Sequence, residues 1–276
     1  MNGRCASETG NAVGLPTAAE REVADLLAME ADPTDALAVL DSVPFWFHTF
    51  ALNRAAGLYT PGVARDHRYR IPALPACFDG LCVLDVGTFD GFYAFLAEAR
   101  GARRVMAIDN EQYRLWVRAR WGVDLAGGEG FRAIHRLLGS TVEYRRLDAF
   151  ALHRLDERFD FIYCFGILHR VDSPLGLLRL LRDRLAPGGR VLVETYGSVA
   201  PQDGPVIRVC EPGEVYTDDD YVYWSFSSQG LAYLAALAGY ECAEVIDPPV
   251  VDGHPRIMAT LRAVEAGEGT SERNTR

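Results

Sequence analysis

The sequence predicts an α/β protein in which a doubly wound, mostly parallel sheet carries helices on both faces and follows an N-terminal helical extension. Two observations lead there. The first is Leu81-Cys-Val-Leu-Asp-Val86, an apolar run of strand length. It meets a turn bounded by Gly87 and Gly91 and passes into Phe92–Arg100, which is apolar at 92, 95, 96 and 99. A short buried strand thus turns sharply into an amphipathic helix. Glycines let the backbone of such a turn come close to a ligand, and the helix N-terminus directs unpaired N–H groups at it. The second observation is that strand-length and helix-length patterns alternate from Leu81 onward, which implies parallel strands joined by right-handed crossovers.

Taken in order, residues 1–15 read as disordered. Thr17-Ala-Ala-Glu20 is a capping box that opens a helix with Val23, Leu26 and Leu27 on one face. Asp32-Pro33 starts a second helix, with Leu37, Leu40 and Val43 expected to face inward. The pair reads as a cover over the active-site end of the sheet or as a dimer element, which leaves a homodimer open. The aromatic stretch Phe45-Trp-Phe-His-Thr-Phe50, with Leu58–Gly62, Asp66–Arg70 and prolines at 72 and 75, has little periodicity and reads as a lid. Residues 16–75 form this extension. Strands are expected at 81–86, 104–109, 142–147, 159–165 and 190–195, and helices at 114–120, 131–138 and 174–185. Ala186-Pro-Gly-Gly189 reads as a tight turn. After an irregular acidic insertion at about 197–225, a helix over 229–238 precedes strands at 241–246 and 256–264 on either side of the turn-rich 247–255. The last dozen residues read as a disordered tail, which leaves 76–264 as the domain.

With 276 residues the chain has room for one domain and extensions, and 49% hydrophobic and 24% charged residues are ordinary for a soluble globular protein. No apolar run reaches the roughly 18 residues of a membrane span, and the stretch up to Pro16 lacks the apolar centre of a secretory signal, so a cytoplasmic protein is expected. The six cysteines are scattered, with no Cys-x-x-Cys, and read as reduced. Lys and Arg number 28 against 38 Asp and Glu, a net charge of −10. That balance argues against a surface for a nucleic acid backbone and for a small, cationic acceptor. No metal site is expected, because His48, His67 and His169 are dispersed.

In a doubly wound sheet, ligands bind outside the carboxyl ends of the strands. Here those ends deliver Asp85 with the glycine turn, Asp109, Asp148-Ala149, and Phe165-Gly-Ile-Leu-His169. A carboxylate at 109 can accept both hydroxyls of a ribose, and 148–149 is placed to meet an adenine edge. A dinucleotide fingerprint would need Gly-x-Gly-x-x-Gly; Phe89 stands where its second glycine belongs, which disfavours a dehydrogenase.

Asp85-Val-Gly-Thr-Phe-Asp-Gly91, Asp109, Asp148 and Leu185-Ala-Pro-Gly-Gly-Arg-Val-Leu-Val-Glu194 together resemble class I S-adenosylmethionine-dependent methyltransferases, over about residues 45–264. The resemblance implies a Rossmann-like seven-stranded sheet, mostly parallel with an antiparallel last strand, and S-adenosyl-L-methionine as cofactor. It implies that Gly87 and Gly91 let the backbone approach the methionine part and that Asp85 orders that loop. Asp109 would hold the ribose diol, Asn110 lie against the adenine, and Asp148-Ala149 meet its amino group. Phe165 and Gly166 would border the transferred methyl. Arg70 and Thr88 complete the cofactor-side candidates.

A narrower resemblance rests on Phe45–Phe50, Tyr59-Thr-Pro-Gly62, Asp66-His-Arg68, Phe165–His169 and Ser173-Pro174-Leu175. These look like the group containing the enzymes that make carboxymethoxyuridine at the tRNA wobble position, other members of which act on small natural products. The tRNA enzymes show Leu-Tyr-His-Arg-Arg-Ser-Pro where this chain has Leu168-His-Arg-Val-Asp-Ser-Pro174. A negative carboxymethyl needs positive and hydroxyl partners, and Asp172 would repel it. Ordinary methyl transfer is therefore expected, with tRNA modification as the alternative and a non-catalytic cofactor-binding protein as the reading from another class. An amine acceptor must lose its proton. His169 is the first candidate base; Glu194, which could also anchor a substrate amine, is the second, and His48 the third. In the insertion, acids interleave with aromatics; carboxylates pair with ammonium groups, and aromatic faces pack on sugars and cations. Glu211, Asp218, Asp219, Tyr221 and Trp224 are thus the expected contacts to an aminoglycoside-type amino-sugar, methylated on N in preference to O.

Overall fold

The computed structural model describes residues 16–64, 67–198, 204–215, 219–246 and 255–264. The expectations for 1–15, Asp66, Asp218, the 247–254 turn and the 265–276 tail lie outside the described residues. Helix α1 (Ala18–Ala24) opens on the expected capping box: the Thr17 hydroxyl accepts from Glu20 N at 3.3 Å, and the Glu20 carboxylate accepts from Thr17 N at 2.7 Å. Helix α2 (Pro33–Ser42) is capped by Asp32, whose carboxylate accepts from Thr34 N. Leu37, expected inside, is 50% exposed. The inward face is instead Ala36, Val39, Leu40 and Val43, whose spacing is that of one helix face, and Leu37 lies off it. The aromatic stretch then leads into a small hairpin of β1 (Ala51–Asn53) and β2 (Leu58–Tyr59), followed by a 3₁₀ turn at Arg68–Ala73.

The main sheet takes β3 (Cys82–Val86), β4 (Arg104–Asp109), β5 (Glu143–Arg146), β6 (Phe159–Phe165) and β7 (Leu185–Tyr196). A two-stranded hairpin of β8 (Ile207–Val209) and β9 (Trp224–Phe226) lies within the insertion, and β10 (Tyr240–Ile246) and β11 (Arg256–Ala263) close the sheet. Strand order is β10-β11-β7-β6-β3-β4-β5. β3 pairs in parallel with both β4 and β6, β4 with β5, and β6 with β7, while β11 runs antiparallel to β7 and β10. This is the Rossmann-like sheet with an antiparallel last strand, and its switch point lies between β3 and β6. β7 starts at Leu185, five residues before the expected Arg190, because Leu185 pairs with Phe159 and pairing resumes at Phe161 with Arg190. Ala186–Gly189 is a bulge inside the strand and not a separate turn.

Residues alternate between the two faces of the sheet, as a pleated strand requires. Val83, Phe161, Tyr163 and Leu192 pack with α3 (Phe92–Ala99), α5 (Glu129–Leu138) and the extension. Leu84, Ile162, Val191 and Val193 pack with α6 (Pro174–Asp183) and α7 (Ser228–Leu237). Trp46, Phe50 and Leu52 share the first core with Phe92 and Phe95, so the extension and one face of the sheet have a common interior. Among the described residues, no helix is long and apolar enough to cross a membrane. Cys77, Cys82, Cys164, Cys210 and Cys242 are free thiols.

Gly91 caps α3 at φ +88, and a Cβ there would lie 2.6 Å from the rings of both Phe95 and Phe131. Gly91→Ala combines a left-handed conformation with overpacking and is expected to cost about 2–3 kcal/mol. Urea unfolding would show it as a lower midpoint at an unchanged m-value; an unaltered midpoint would mean that the turn relaxes freely.

Candidate active site

The carboxyl ends of β3, β4, β6 and β7 lie along one edge of the sheet. At the end of β3, the buried Asp85 carboxylate accepts from the Thr88 hydroxyl at 2.7 Å and from the Ala94 N–H in α3, so it fastens both sides of the glycine turn. Gly87, at φ +77, and Thr88 donate their N–H groups to Ile108 O at 2.9 and 3.2 Å. A Cβ on Gly87 would strike the Ile167 side chain. Phe89 adopts φ +51, donates its N–H to Asp109 Oδ2 at 3.0 Å, and stacks its ring on Tyr113 and Phe47 with centroids 3.8 and 4.7 Å away. The other Asp109 oxygen accepts from Glu111 N at 2.7 Å. Burial, only partly offset by these donors, pushes Asp85 up to about 7 and Asp109 up to about 6. Asn110 donates to the exposed Asp148 at 2.9 Å, and Asp148 caps the 3₁₀ turn that begins at Ala149.

Asp90, which sequence reasoning passed over, joins this turn to the extension. Its carboxylate accepts the N–H groups of Phe47 and His48 at 2.7 and 2.9 Å, and burial pushes it up to about 7. Its place between Phe89 and Gly91 was the one available signal. Tyr69, Tyr93 and Arg256 were also missed; a single aromatic or arginine in an irregular segment, a helix or a terminal strand gives none.

The fold brings Arg70, Phe165 and Glu194 together. Arg70 lies over the Phe165 ring at 4.8 Å and donates to Glu194 Oε2 at 2.9 Å and to the Tyr93 hydroxyl at 3.0 Å. Arg256 and the Tyr69 hydroxyl each donate to Glu194 Oε1 at 3.1 Å. Glu194 has no exposed surface. Burial alone would raise its pKa; Arg70, then Arg256, outweigh this and hold it below the ordinary range. Glu194 is therefore a poor base and the charge partner of two arginines, which corrects its expected role.

His169 is 1% exposed, with Nδ1 3.2 Å from Thr195 Oγ1, its ring against Tyr196 at 4.2 Å, and no hydrogen-bond partner for Nε2 among the described residues. Burial, then Arg170, Arg256 and Arg70, keep it neutral. His48 stacks on Phe92 at 5.8 Å, and burial, then Arg70, lower its pKa to about 3.

The insertion is strapped to the turn after β6. Arg170 forks onto Asp219 at 2.9 and 2.7 Å, Tyr223 N donates to His169 O at 2.8 Å, and the Trp224 indole donates to Val171 O at 2.7 Å. Asp219 is thus committed to a guanidinium and not open to a substrate amine. Glu211 and Tyr221 are exposed, and Glu214 pairs with Arg208. Among the described residues, no group of three His, Cys, Asp or Glu could hold a metal ion.

A family model for a methyltransferase domain matches residues 59–245. The tRNA U34 carboxymethyltransferase of Chromohalobacter salexigens is 30% identical over 191 residues, 68% of this chain and 51% of that protein. That of Shewanella loihica is 30% identical over 185 residues, 66% of this chain and 49% of that protein. The chain spans about half the length of these curated relatives. Among solved structures, the Burkholderia thailandensis 1,6-didemethyltoxoflavin-N1-methyltransferase superposes with a TM-score of 0.50 at 20% identity, over 68% of this chain and 72% of that one. An S-adenosylmethionine-dependent methyltransferase from Mesorhizobium loti gives 0.50 at 20%, over 71% and 99%. The chain belongs to the methyltransferase-domain family. Its fold is that of class I S-adenosylmethionine-dependent methyltransferases.

The donor set fits that cofactor. Asp109 is a buried carboxylate with no cation acting on it among the described residues and would gain from a diol donating to it, and the first turn of α3 has no side-chain cap of its own at Gly91. S-adenosylhomocysteine is expected to bind more tightly as pH rises through about 6, the range in which Asp109 ionises. The sign is set by the raised pKa. The folded chain holds this proton more tightly than the unfolded one, so ligand-free stability falls with rising pH while affinity for the diol grows. Calorimetric titration across pH checks this; Asp109→Asn should weaken binding and remove that part of the dependence. Glu194→Gln takes the anion from the buried Arg70 guanidinium and is expected to cost about 3 kcal/mol or more in urea unfolding; a wild-type midpoint would rule out the buried pair as a stabilising element.

Proposed function

We propose that this chain transfers a methyl group from S-adenosylmethionine to an amine or hydroxyl of a small, uncharged acceptor. The observation that supports this is the neutral wall beside the glycine turn. His48, His67 and His169 are buried with pKa values held below the ordinary one. The nearby guanidinium groups point elsewhere: Arg70 at Glu194, Arg170 at Asp219, and Arg256 at Glu194 and the Tyr196 hydroxyl. A transferred group carrying a carboxylate would need a cation; a methyl group needs none.

The cofactor, when bound, supplies a methyl group on a sulfonium. The chain's own part is to align the acceptor for in-line attack and to exclude water. The aromatic extension, tied down through Asp90, covers the turn. His169, held neutral by burial and the arginines around it, can accept a hydrogen bond at Nε2 but resists taking up a full proton. The commitment of Asp219 to Arg170 removes the main support for an amino-sugar acceptor.

The names of the curated relatives favour a second reading, carboxymethyl transfer to wobble uridine of tRNA. The chain can be offered methyl-labelled S-adenosylmethionine with small phenols, amides and amines, and separately a carboxylated cofactor with bulk tRNA, with products read by mass spectrometry. One added methyl on a small molecule is the expected result. A carboxymethyl on tRNA would overturn it in favour of the second reading.

A further inference from the structure

We propose that Asp90 is a positioning residue for the cofactor. By holding the backbone of Phe47 and His48 it makes the N-terminal extension and the glycine turn a single unit, so that S-adenosylmethionine at the turn is bound tightly only while the extension is in place. This rests on the methyltransferase reading above, with the cofactor against the turn between Gly87 and Gly91. Asp90 is 2% exposed, so its carboxylate is engaged inside the protein and is not itself offered to a ligand.

Three elements meet at this carboxylate. Its Oδ2 accepts the N–H groups of Phe47 and His48 at 2.7 and 2.9 Å. Its Oδ1 lies against α5, where a Cβ on Gly130 would stand 2.4 Å from it and 3.3 Å from the Trp46 ring. Gly130 belongs to the first turn of α5, and the positive end of a helix favours an anion. The His48 ring comes only to 4.0 Å from Oδ2 and is neutral, so the two backbone N–H groups are the partners that matter.

The turn needs this outside support. Asp90 sits between two left-handed residues, Phe89 at φ +51 and Gly91 at φ +88. A bulky side chain in that region is strained, and such a conformation persists only where its surroundings over-determine it. Phe89 is fixed at both ends: its N–H reaches Asp109, and its ring stacks on Phe47 at 4.7 Å. Phe47 is thus held twice, through its N–H by Asp90 and through its ring by Phe89. A short chain of contacts therefore runs from Asp109, the candidate for the ribose diol, through Phe89 to the extension. Loosening the extension frees the turn, and a ligand that fixes the turn fixes the extension, because coupling between two binding equilibria is reciprocal.

The test uses the full chain and S-adenosylhomocysteine. Affinity is read by calorimetry, and amide hydrogen exchange is followed at Phe47 and His48, with the amides of β3 and β4 reporting global stability. In the wild-type chain the nucleoside is expected to slow exchange at Phe47 and His48. Asp90→Ala should speed that exchange, leave β3 and β4 protected, and weaken the nucleoside about tenfold. Asp90→Asn keeps an oxygen facing the two N–H groups and should recover most of the affinity. Gly130→Ala crowds Oδ1 without removing any hydrogen-bonding group. Alanine favours a helix more than glycine does, yet this variant should weaken the nucleoside too, and it carries the test if Asp90→Ala does not fold. Wild-type affinity in Asp90→Ala, or in Gly130→Ala where only that variant folds, would overturn the proposal. So would an Asp90→Asn variant that binds no better than Asp90→Ala, or nucleoside binding that leaves exchange at Phe47 and His48 unchanged. If the nucleoside fails to bind the wild-type chain, the methyltransferase reading itself falls, and the role of Asp90 with it.

Discussion

Glu194 is a fully buried carboxylate with two guanidinium groups and a phenol around it, and the carboxyl edge of the sheet is arranged to make that tolerable. Taking three charges out of water is costly unless geometry and hydrogen bonding are close to complete. Here the donors come from two distant parts of the chain: Arg70 and Tyr69 from the 3₁₀ turn, and Arg256 from the last strand. The insertion of β11 beside β7 is what brings Arg256 opposite this region, since Arg256 pairs with Tyr196 and Met258 with Glu194. The extension therefore cannot lift away without baring a guanidinium, and its aromatic stretch is held a second time by Asp90. Residues that look like an appendage in the sequence are, energetically, part of the sheet's own core.

The same cluster divides the site electrostatically. On the β6 and β7 side, arginines lower the pKa of Glu194, and burial, then arginines, lower those of His67 and His169. On the β3 and β4 side, Asp85, Asp90 and Asp109 are buried with hydrogen-bond donors, and burial pushes all three up, offset only in part at Asp85 by Thr88 and Arg70. A ligand that brings hydroxyl donors and positive charge relieves the second group and does nothing for the first. The nucleoside end of the cofactor has that character. The neutral end suits a group that carries no charge, so one buried ion cluster in effect assigns the two halves of the reaction to two sides of α3.

Most of the sheet was legible because its signals are local and redundant. Apolar runs gave β3, β4 and β6 within a residue, the Thr17 box and Asp32-Pro33 gave both N-terminal helices, and strand-end acids marked the edge where ligands bind. The errors have local causes too. Leu37 is apolar but off the inward face that Ala36, Val39, Leu40 and Val43 define. Pro187 and two glycines suggested a turn, but the sheet absorbs them as a bulge because Leu185 can still pair with Phe159. Pairings between side chains far apart in sequence were not legible at all: nothing in Arg256 announces Glu194, and nothing in Asp90 announces the backbone of Phe47.

The acidic insertion shows how this limit bears on function. A net charge of −10 and a run of acids suggested a cationic acceptor, an inference that treats each carboxylate as available. Availability is decided by neighbours. Asp219 holds Arg170, Glu214 holds Arg208, and Trp224 turns its indole to Val171, so three of these side chains fix the insertion in place. Among the described residues, the buried polar atoms without a hydrogen-bond partner include His48 Nδ1, Thr49 Oγ1 and His169 Nε2. In a buried site a ligand is selected by the polar atoms that the fold leaves unpaired, because those set the free energy that binding can recover. By that criterion the charge of the acidic insertion does not by itself select the acceptor.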